Sequence, residues 1–229
     1  MRLSNYRSIV VLTGAGLSRA AGLATYRGPG GLWSDPELEA LSYVDSLRTR
    51  REAATTMFWS MHEAVARAEP TAAHRALAEF EARSPGELMI VTQNVDGLHQ
   101  RAGSRNVVEY HGGLRFWLCE RCKQRVEPPL GAAPTCCGER MRPDAVLFGE
   151  MIPAAAEHAV KRALRDCDLF VAIGTSGTVW PAAGFVSSAT YSGAHTMLLN
   201  LEIDDEARSL YRACHAGPAD ELVAHWFAS

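Results

Sequence analysis

The sequence predicts an α/β protein: a parallel sheet with helices on both faces, plus a small second lobe. Short apolar runs recur at Ile9–Leu12, Leu88–Val91, Leu169–Ile173 and Met197–Leu199, and charge-free strands of this kind suit a sheet buried on both sides. Segments of helical pattern, Ala72–Ala82 and Ala154–Arg165, separate them, an alternation that argues for parallel strands joined by helices. Two stretches break the rhythm. Residues 29–70 read as helix and loop, with Phe58, Met61 and Val65 at helical spacing, while residues 113–140 hold four cysteines among Gly and Pro.

The chain has 229 residues, 47% apolar and 21% charged, enough to bury a core within one domain. Its formal charge is −3, so no large basic field draws nucleic acid or anionic lipid, and neither is expected as a partner. The apolar run Ile9–Leu12 stops at Thr13-Gly14-Ala15-Gly16, too short for the core of a signal peptide. Residues 169–201 contain no Asp, Glu, Lys or Arg, but Gly174, Gly177, Pro181 and four later Ser and Thr residues interrupt them. They read as strand, loop, helix and strand instead of a membrane span. Without a secretory signal, the six cysteines favour thiols or a metal over disulfides, and the expected setting is the cytoplasm.

Along the chain, the first strand ends in Gly14-Ala15-Gly16, with Leu17–Ala21 continuing as a helix. Exposed N–H groups at such a turn can face an anion, although an ordinary strand-to-helix turn has the same pattern. The third glycine of the usual dinucleotide fingerprint is missing, since position 19 is Arg19, and no acid follows a second strand about 20 residues on. Arg48, Arg50 and Arg51 read as a solvated helix face. Thr92-Gln93-Asn94-Val95-Asp96-Gly97-Leu98-His99 follows the second strand. Asn94 or Asp96 alone suits a helix cap, but clustered with Gln93 they favour a site. The short strand Val107–Glu109 leads to His111, whose imidazole can act as general base near neutrality. His62, His74 and His99 read better as surface or satisfied core residues.

Cys119-x-x-Cys122 is a strong metal-knuckle signal. Its partner pair, Cys136-Cys137, is irregular, because adjacent cysteines reach one ion only through a distorted backbone. A closed structural zinc is expected, with Cys167 and Cys214 left as small core residues. Gly174-Thr175-Ser176 and Asn200-Leu201-Glu202 follow two further strands. In a parallel sheet all these polar strand ends converge on one crevice, which outweighs any single motif.

These residues, with Tyr26-Arg27-Gly28, Gly30-Gly31-Leu32-Trp33, Arg142-Pro143-Asp144 and Phe148-Gly149-Glu150, resemble the sirtuins, NAD-dependent protein lysine deacylases, in order over nearly the whole chain. The resemblance implies a Rossmann-like large lobe of about residues 1–28, 71–112 and 141–229. It implies a small lobe made of a helical module at about 29–70 and a zinc ribbon at about 113–140, held by Cys119, Cys122, Cys136 and Cys137. NAD would lie against Gly14, Ala15, Gly16, Ser18, Gly174, Thr175, Ser176, the loop Asn200, Leu201 and Glu202, and Ala219 near the adenine. Tyr26, Arg27, Trp33, Gln93, Asn94 and Asp96 would surround the nicotinamide half, with His111 as base and Asn94 beside it in catalysis. An acylated lysine of a protein or peptide would meet Trp59, His62, Val146 and Phe148.

The sequence has no nucleophile elbow, no HExxH and no open metal site, so cleavage of the nicotinamide–ribose bond would drive the reaction. Nicotinamide, O-acyl-ADP-ribose and free lysine would leave. Tyr26 stands where relatives carry Phe, and Trp59-Ser60-Met61-His62 where desuccinylating relatives carry Tyr-x-x-Arg. Poor desuccinylation is expected, because a guanidinium grips a carboxylate with two bonds and an imidazole does not. Mono-ADP-ribosyl transfer or NAD hydrolysis is the alternative chemistry, and a non-catalytic NAD-binding or interaction module the alternative class.

Overall fold

A computed structural model describes residues 3–28, 30–84 and 86–228; Met1, Arg2, Pro29, Pro85 and Ser229, which the expected lobes include, lie outside them. In chain order the elements are β1 (Ser8–Thr13), α1 (Pro36–Leu41), α2 (Ser46–Thr49), α3 (Arg51–Arg67), α4 (Ala72–Arg83), β2 (Glu87–Thr92), α5 (Leu98–Arg101) and β3 (Val107–Glu109). Then come β4 (Gly112–Leu118), β5 (Arg125–Val126), β6 (Thr135–Cys136), β7 (Glu139–Arg140), β8 (Arg142–Ala145), α6 (Ala154–Asp166) and β9 (Leu169–Ile173). The chain closes with α7 (Phe185–Tyr191), β10 (His195–Asn200), α8 (Asp205–Leu210), β11 (Ala213–Ala216) and α9 (Ala219–Phe227).

Six strands form one parallel sheet in the order β11-β10-β9-β1-β2-β3. β1 sits between β2 and β9, Val10 pairing with Met89 on one side and Phe170 on the other, which is why its residues are apolar on both faces. Side chains alternate across the sheet. Val10, Leu12, Phe170 and Ala172 pack with Val160 and Leu164 of α6 and Phe185 of α7. Ile9, Val11, Val171 and Ile173 pack with Leu77 and Phe80 of α4 and Val223 and Phe227 of α9.

A third apolar cluster, with Leu41, Phe58, Trp117 and Leu147, joins α1–α3 to the antiparallel sheet β5-β4-β8. Here Arg48, Arg50 and Arg51 are spoken for: they pair with Asp45, Glu37 and Glu120, each at 2.6 Å.

Leu17–Ala21, expected as a helix, belongs to a 3-10 helix, Ala15–Ala21. Gly16 N–H is drawn to the Gly174 carbonyl at 2.9 Å and Leu17 N–H to that of Gly14 at 3.0 Å, so the turn starts with the tighter i→i+3 bond. Among the described residues no helix is long and apolar enough to cross a membrane.

Phe170 is fully buried between β1, β10 and the α6–α7 layer. Phe170→Ala should destabilise the fold by about 3–5 kcal/mol, read as a lower denaturant midpoint at unchanged m-value.

Candidate active site

The C-terminal ends of β10, β9, β1 and β2 open into one cleft of about 1180 Å³, large enough for a dinucleotide and a second ligand. Its floor is backbone. A Cβ on Gly14 would lie 2.7 Å from the Gly174 carbonyl oxygen and one on Gly16 2.8 Å from the Gly174 Cα, so no side chain separates the turn after β1 from the turn after β9. Gly174 itself has φ +60°. Ala15, Thr175 and Ser176 complete this end, and Asn200, Leu201, Glu202 and Ala219 line its far side. Side chains tie the strand ends together: Gln93 Nε2 donates to Thr175 Oγ1 at 2.9 Å, and Asn200 Nδ2 to the Thr175 carbonyl at 3.3 Å. A pyrophosphate fits such a cradle, where close backbones and a helix start replace side-chain bulk.

Asn94 is 3% exposed and donates through Nδ2 to the Gly14 carbonyl and to Ser18 Oγ, both at 3.1 Å. Its Oδ1 is buried with no partner among the described residues, an acceptor left for a ligand group such as a sugar hydroxyl or a carboxamide. Ser18 Oγ donates in turn to Asp96 Oδ2 at 2.7 Å, while Asp96 Oδ1 accepts from Leu98 N at 3.0 Å. Asp96 therefore closes a local turn ahead of α5, whose N-cap is Gly97, and supports the site through Ser18. Ser18 and Asp96 line a smaller pocket of about 220 Å³ that shares Asn94, Tyr26 and Leu114 with the main cleft.

His111 lines the cleft just past β3. Its Nδ1 faces the Gln93 carbonyl at 3.2 Å; a carbonyl only accepts, so Nδ1 carries the proton and Nε2 keeps a lone pair. Burial lowers the pKa, and the Gln93 carbonyl opposes that shift without cancelling it. The imidazole is neutral at pH 7 and can take a proton at Nε2.

The roof is aromatic. Tyr26 stacks on Trp33 at 4.6 Å between ring centroids, Trp33 meets Phe148 at 4.9 Å, and Arg27 lies over the Trp33 ring at 5.5 Å. Phe58, Met61, Leu114, Val146 and Phe148 make the adjoining wall apolar. Trp59 and His62 do not join it, which corrects their expected place beside the acyl group. Both are buried in the small-lobe core, stacked at 4.6 Å, with Trp59 edge-on to Trp117 and His62 Nδ1 bonded to the Leu114 carbonyl at 2.9 Å. On the helix face toward the cleft stand their neighbours Phe58 and Met61.

His99 had no role in the sequence reading. It is buried, and its Nε2 meets Thr13 Oγ1 at 2.9 Å, holding the last residue of β1 before the glycine turn. Its position within the Gln93–His99 segment was the only available signal.

Away from the cleft, the Sγ atoms of Cys119, Cys122, Cys136 and Cys137 all lie within 4.8 Å of one another. Cys122 and Cys136 are 3.6 Å apart and Cys136 and Cys137 3.8 Å, matching the roughly 3.8 Å edge of a zinc–thiolate tetrahedron with bonds of about 2.3 Å. The adjacent pair reaches this arrangement because Cys137 takes φ +52°, the distortion that neighbouring ligands require. A zinc ion held by all four sulfurs would have no open position for a reactant.

Comparison with known proteins agrees with this geometry. The chain is 43% identical to an NAD-dependent protein deacylase of Shewanella oneidensis over 95% of its own length and 92% of that protein's. A Sir2 homolog–NAD complex matches with a TM-score of 0.88 and 33% identity, covering 98% of this chain and 90% of that one. A Sir2 variant bound to a deacetylated p53 peptide and 3′-O-acetyl ADP ribose matches at 0.84 and 27% identity, over 97% and 96%. The Sir2 family pattern matches residues 14–181, and with a relative 43% identical over 95% of its length, the chain belongs to the Sir2 family.

Proposed function

We propose that this chain is an NAD-dependent protein lysine deacylase that releases nicotinamide, O-acyl-ADP-ribose and free lysine. The observation that carries the reading is His111 on the cleft with Nδ1 tethered to the Gln93 carbonyl, which leaves the Nε2 lone pair to act, beside the glycine turns and an apolar wall. NAD supplies a breakable bond between nicotinamide and ribose, the driving force needed by a sequence with no nucleophile elbow and no HExxH motif.

The chain's residues then have distinct tasks. The turns at Gly14–Gly16 and Gly174–Ser176 hold the pyrophosphate, and Asn200–Glu202 and Ala219 border the adenosine. Asn94 Oδ1 and the Ser18–Asp96 pair orient the nicotinamide half beneath Tyr26, Arg27 and Trp33. His111 Nε2 receives a proton from a ribose hydroxyl. Phe58, Met61, Val146 and Phe148 seat the acyl-lysine and keep water away. This apolar wall favours an acyl substrate over transfer to a bare side chain. Cys119, Cys122, Cys136 and Cys137 hold one structural zinc. The two-lobe division at the expected boundaries is part of the proposal, supported by the separate apolar cluster of the helical and ribbon segments. So is a cytoplasmic setting, supported by six cysteines without a disulfide.

His111→Ala should lower kcat by about 10²–10⁴-fold on an acetylated peptide while NAD affinity holds; undiminished turnover would rule out His111 as base. Because the unprotonated imidazole works and its pKa is depressed, kcat/KM should persist below the ordinary value of about 6.5 and fall as pH drops through the lowered one. Deacylation at the same rate without NAD would refute the reading outright.

With no guanidinium on the wall formed by Phe58 and Met61, succinyl-lysine should be cleaved with kcat/KM at least about tenfold below acetyl-lysine, measured on one peptide carrying each group. Metal analysis should find one zinc per chain, and chelation should lower the Tm by roughly 5–10 °C.

A further inference from the structure

We propose that Arg142 and Glu150 are positioning residues, whose ion pair holds the 145–149 segment in the shape that receives the acylated peptide. The inference rests on the deacylase reading above.

Arg142, at the start of β8, has a side chain 9% exposed. Its Nη1 and Nη2 donate to the two carboxylate oxygens of Glu150 at 2.5 and 2.7 Å, Nη2 also to the Ala145 carbonyl at 2.8 Å, and Nε to the Pro143 carbonyl at 3.2 Å. Glu150 Oε2 accepts in addition from Leu147 N at 2.9 Å. One planar fork thus pins both ends of the segment and, through the carboxylate, its middle.

Main-chain hydrogen bonds tie the segment to the rest of the site, beside the ring contact of Phe148 with Trp33. Val146 N–H donates to the His111 carbonyl at 2.9 Å, Phe148 N–H to that of Ser42 at 3.0 Å, and Val44 N–H to that of Phe148 at 2.9 Å. With these anchors Val146 and Phe148 enter the cleft between His111 and the aromatic roof. Arg142 does not line the cleft and so acts through the segment, whereas Glu150 stands at the cleft edge. Arg142→Lys, which removes the fork but leaves the Glu150 carboxylate in place, should raise the peptide KM as Glu150→Gln does if the role is positioning.

A buried pair of this kind contributes little net stability, since desolvation offsets attraction; what it supplies here is fixed geometry. A monodentate link would leave the segment free to rotate about one bond, whereas the bidentate fork does not. The His111 imidazole keeps its own tether at the Gln93 carbonyl. The pair therefore governs peptide binding more than proton transfer.

The test is steady-state deacylation of an acetylated peptide by Glu150→Gln and Glu150→Asp. Glu150→Gln should raise the peptide KM about tenfold while kcat at saturating peptide stays within about threefold and the NAD KM is unchanged. Glu150→Asp, which keeps the charge but cannot span both contacts, should give a smaller rise and guards against a folding defect. Glu120, 3.9 Å from Arg142, keeps a counter-charge near the guanidinium in both variants. Glu127→Gln, which breaks the exposed Arg115 pair on the same sheet, is the control and should change neither constant. A fall in kcat with peptide KM unchanged, or equal changes in the KM of NAD and peptide, would overturn the positioning role and leave a structural one. If the unaltered chain shows no NAD-dependent turnover, the deacylase reading itself fails and takes this inference with it.

Discussion

The cleft exists because two backbones come closer than side chains would permit. Gly14 and Gly16 after β1 lie against Gly174 after β9, with a Cβ on any of the three falling 2.5–2.8 Å from a main-chain atom of the opposing turn. This approach is closed by main-chain hydrogen bonds, Gly16 N–H donating to the Gly174 carbonyl and Gly14 N–H to that of Ile173. It also fixes the separation of the two central strands at the end where chemistry takes place. Gln93, Thr175 and Asn200 extend the link across β2, β9 and β10, so the floor is as rigid as the sheet itself.

On this floor the polar groups are held in one protonation state by their surroundings. Burial keeps His111 neutral, and the Gln93 carbonyl selects its tautomer. His74 and His99, packed edge to face at 4.7 Å beneath the glycine turn, are likewise pushed toward the neutral form by burial. Two imidazoles can sit under an anion cradle in this way without adding charge to it.

Much of this was legible in the sequence. The strands at Leu169–Ile173 and Val107–Glu109 fall where the apolar runs end, because a buried parallel strand must shed its polar residues and resume them at its C-terminus. The residues at these ends were readable for the same reason. What stayed hidden depends on packing across the chain. β11, with the sequence Ala-Cys-His-Ala, carries no strand pattern and is defined by pairing with β10. Trp59 and His62 occupy the helix positions expected to face substrate, but the large Trp117 ring on β4 gives them a better apolar neighbour than the cleft does. The linear order of residues does not show which side of α3 will meet that ring.

Arg51 gives the distant thiolate cluster a route to the cleft. Its guanidinium joins Glu120, next to Cys119, and the Arg140 carbonyl on β7, while its own residue begins α3. Seven and ten positions along that helix stand Phe58 and Met61. Slack in the ribbon would therefore reach the acyl wall as a loosened helix, and an ion that touches no reactant would still influence how firmly the enzyme grips its guest.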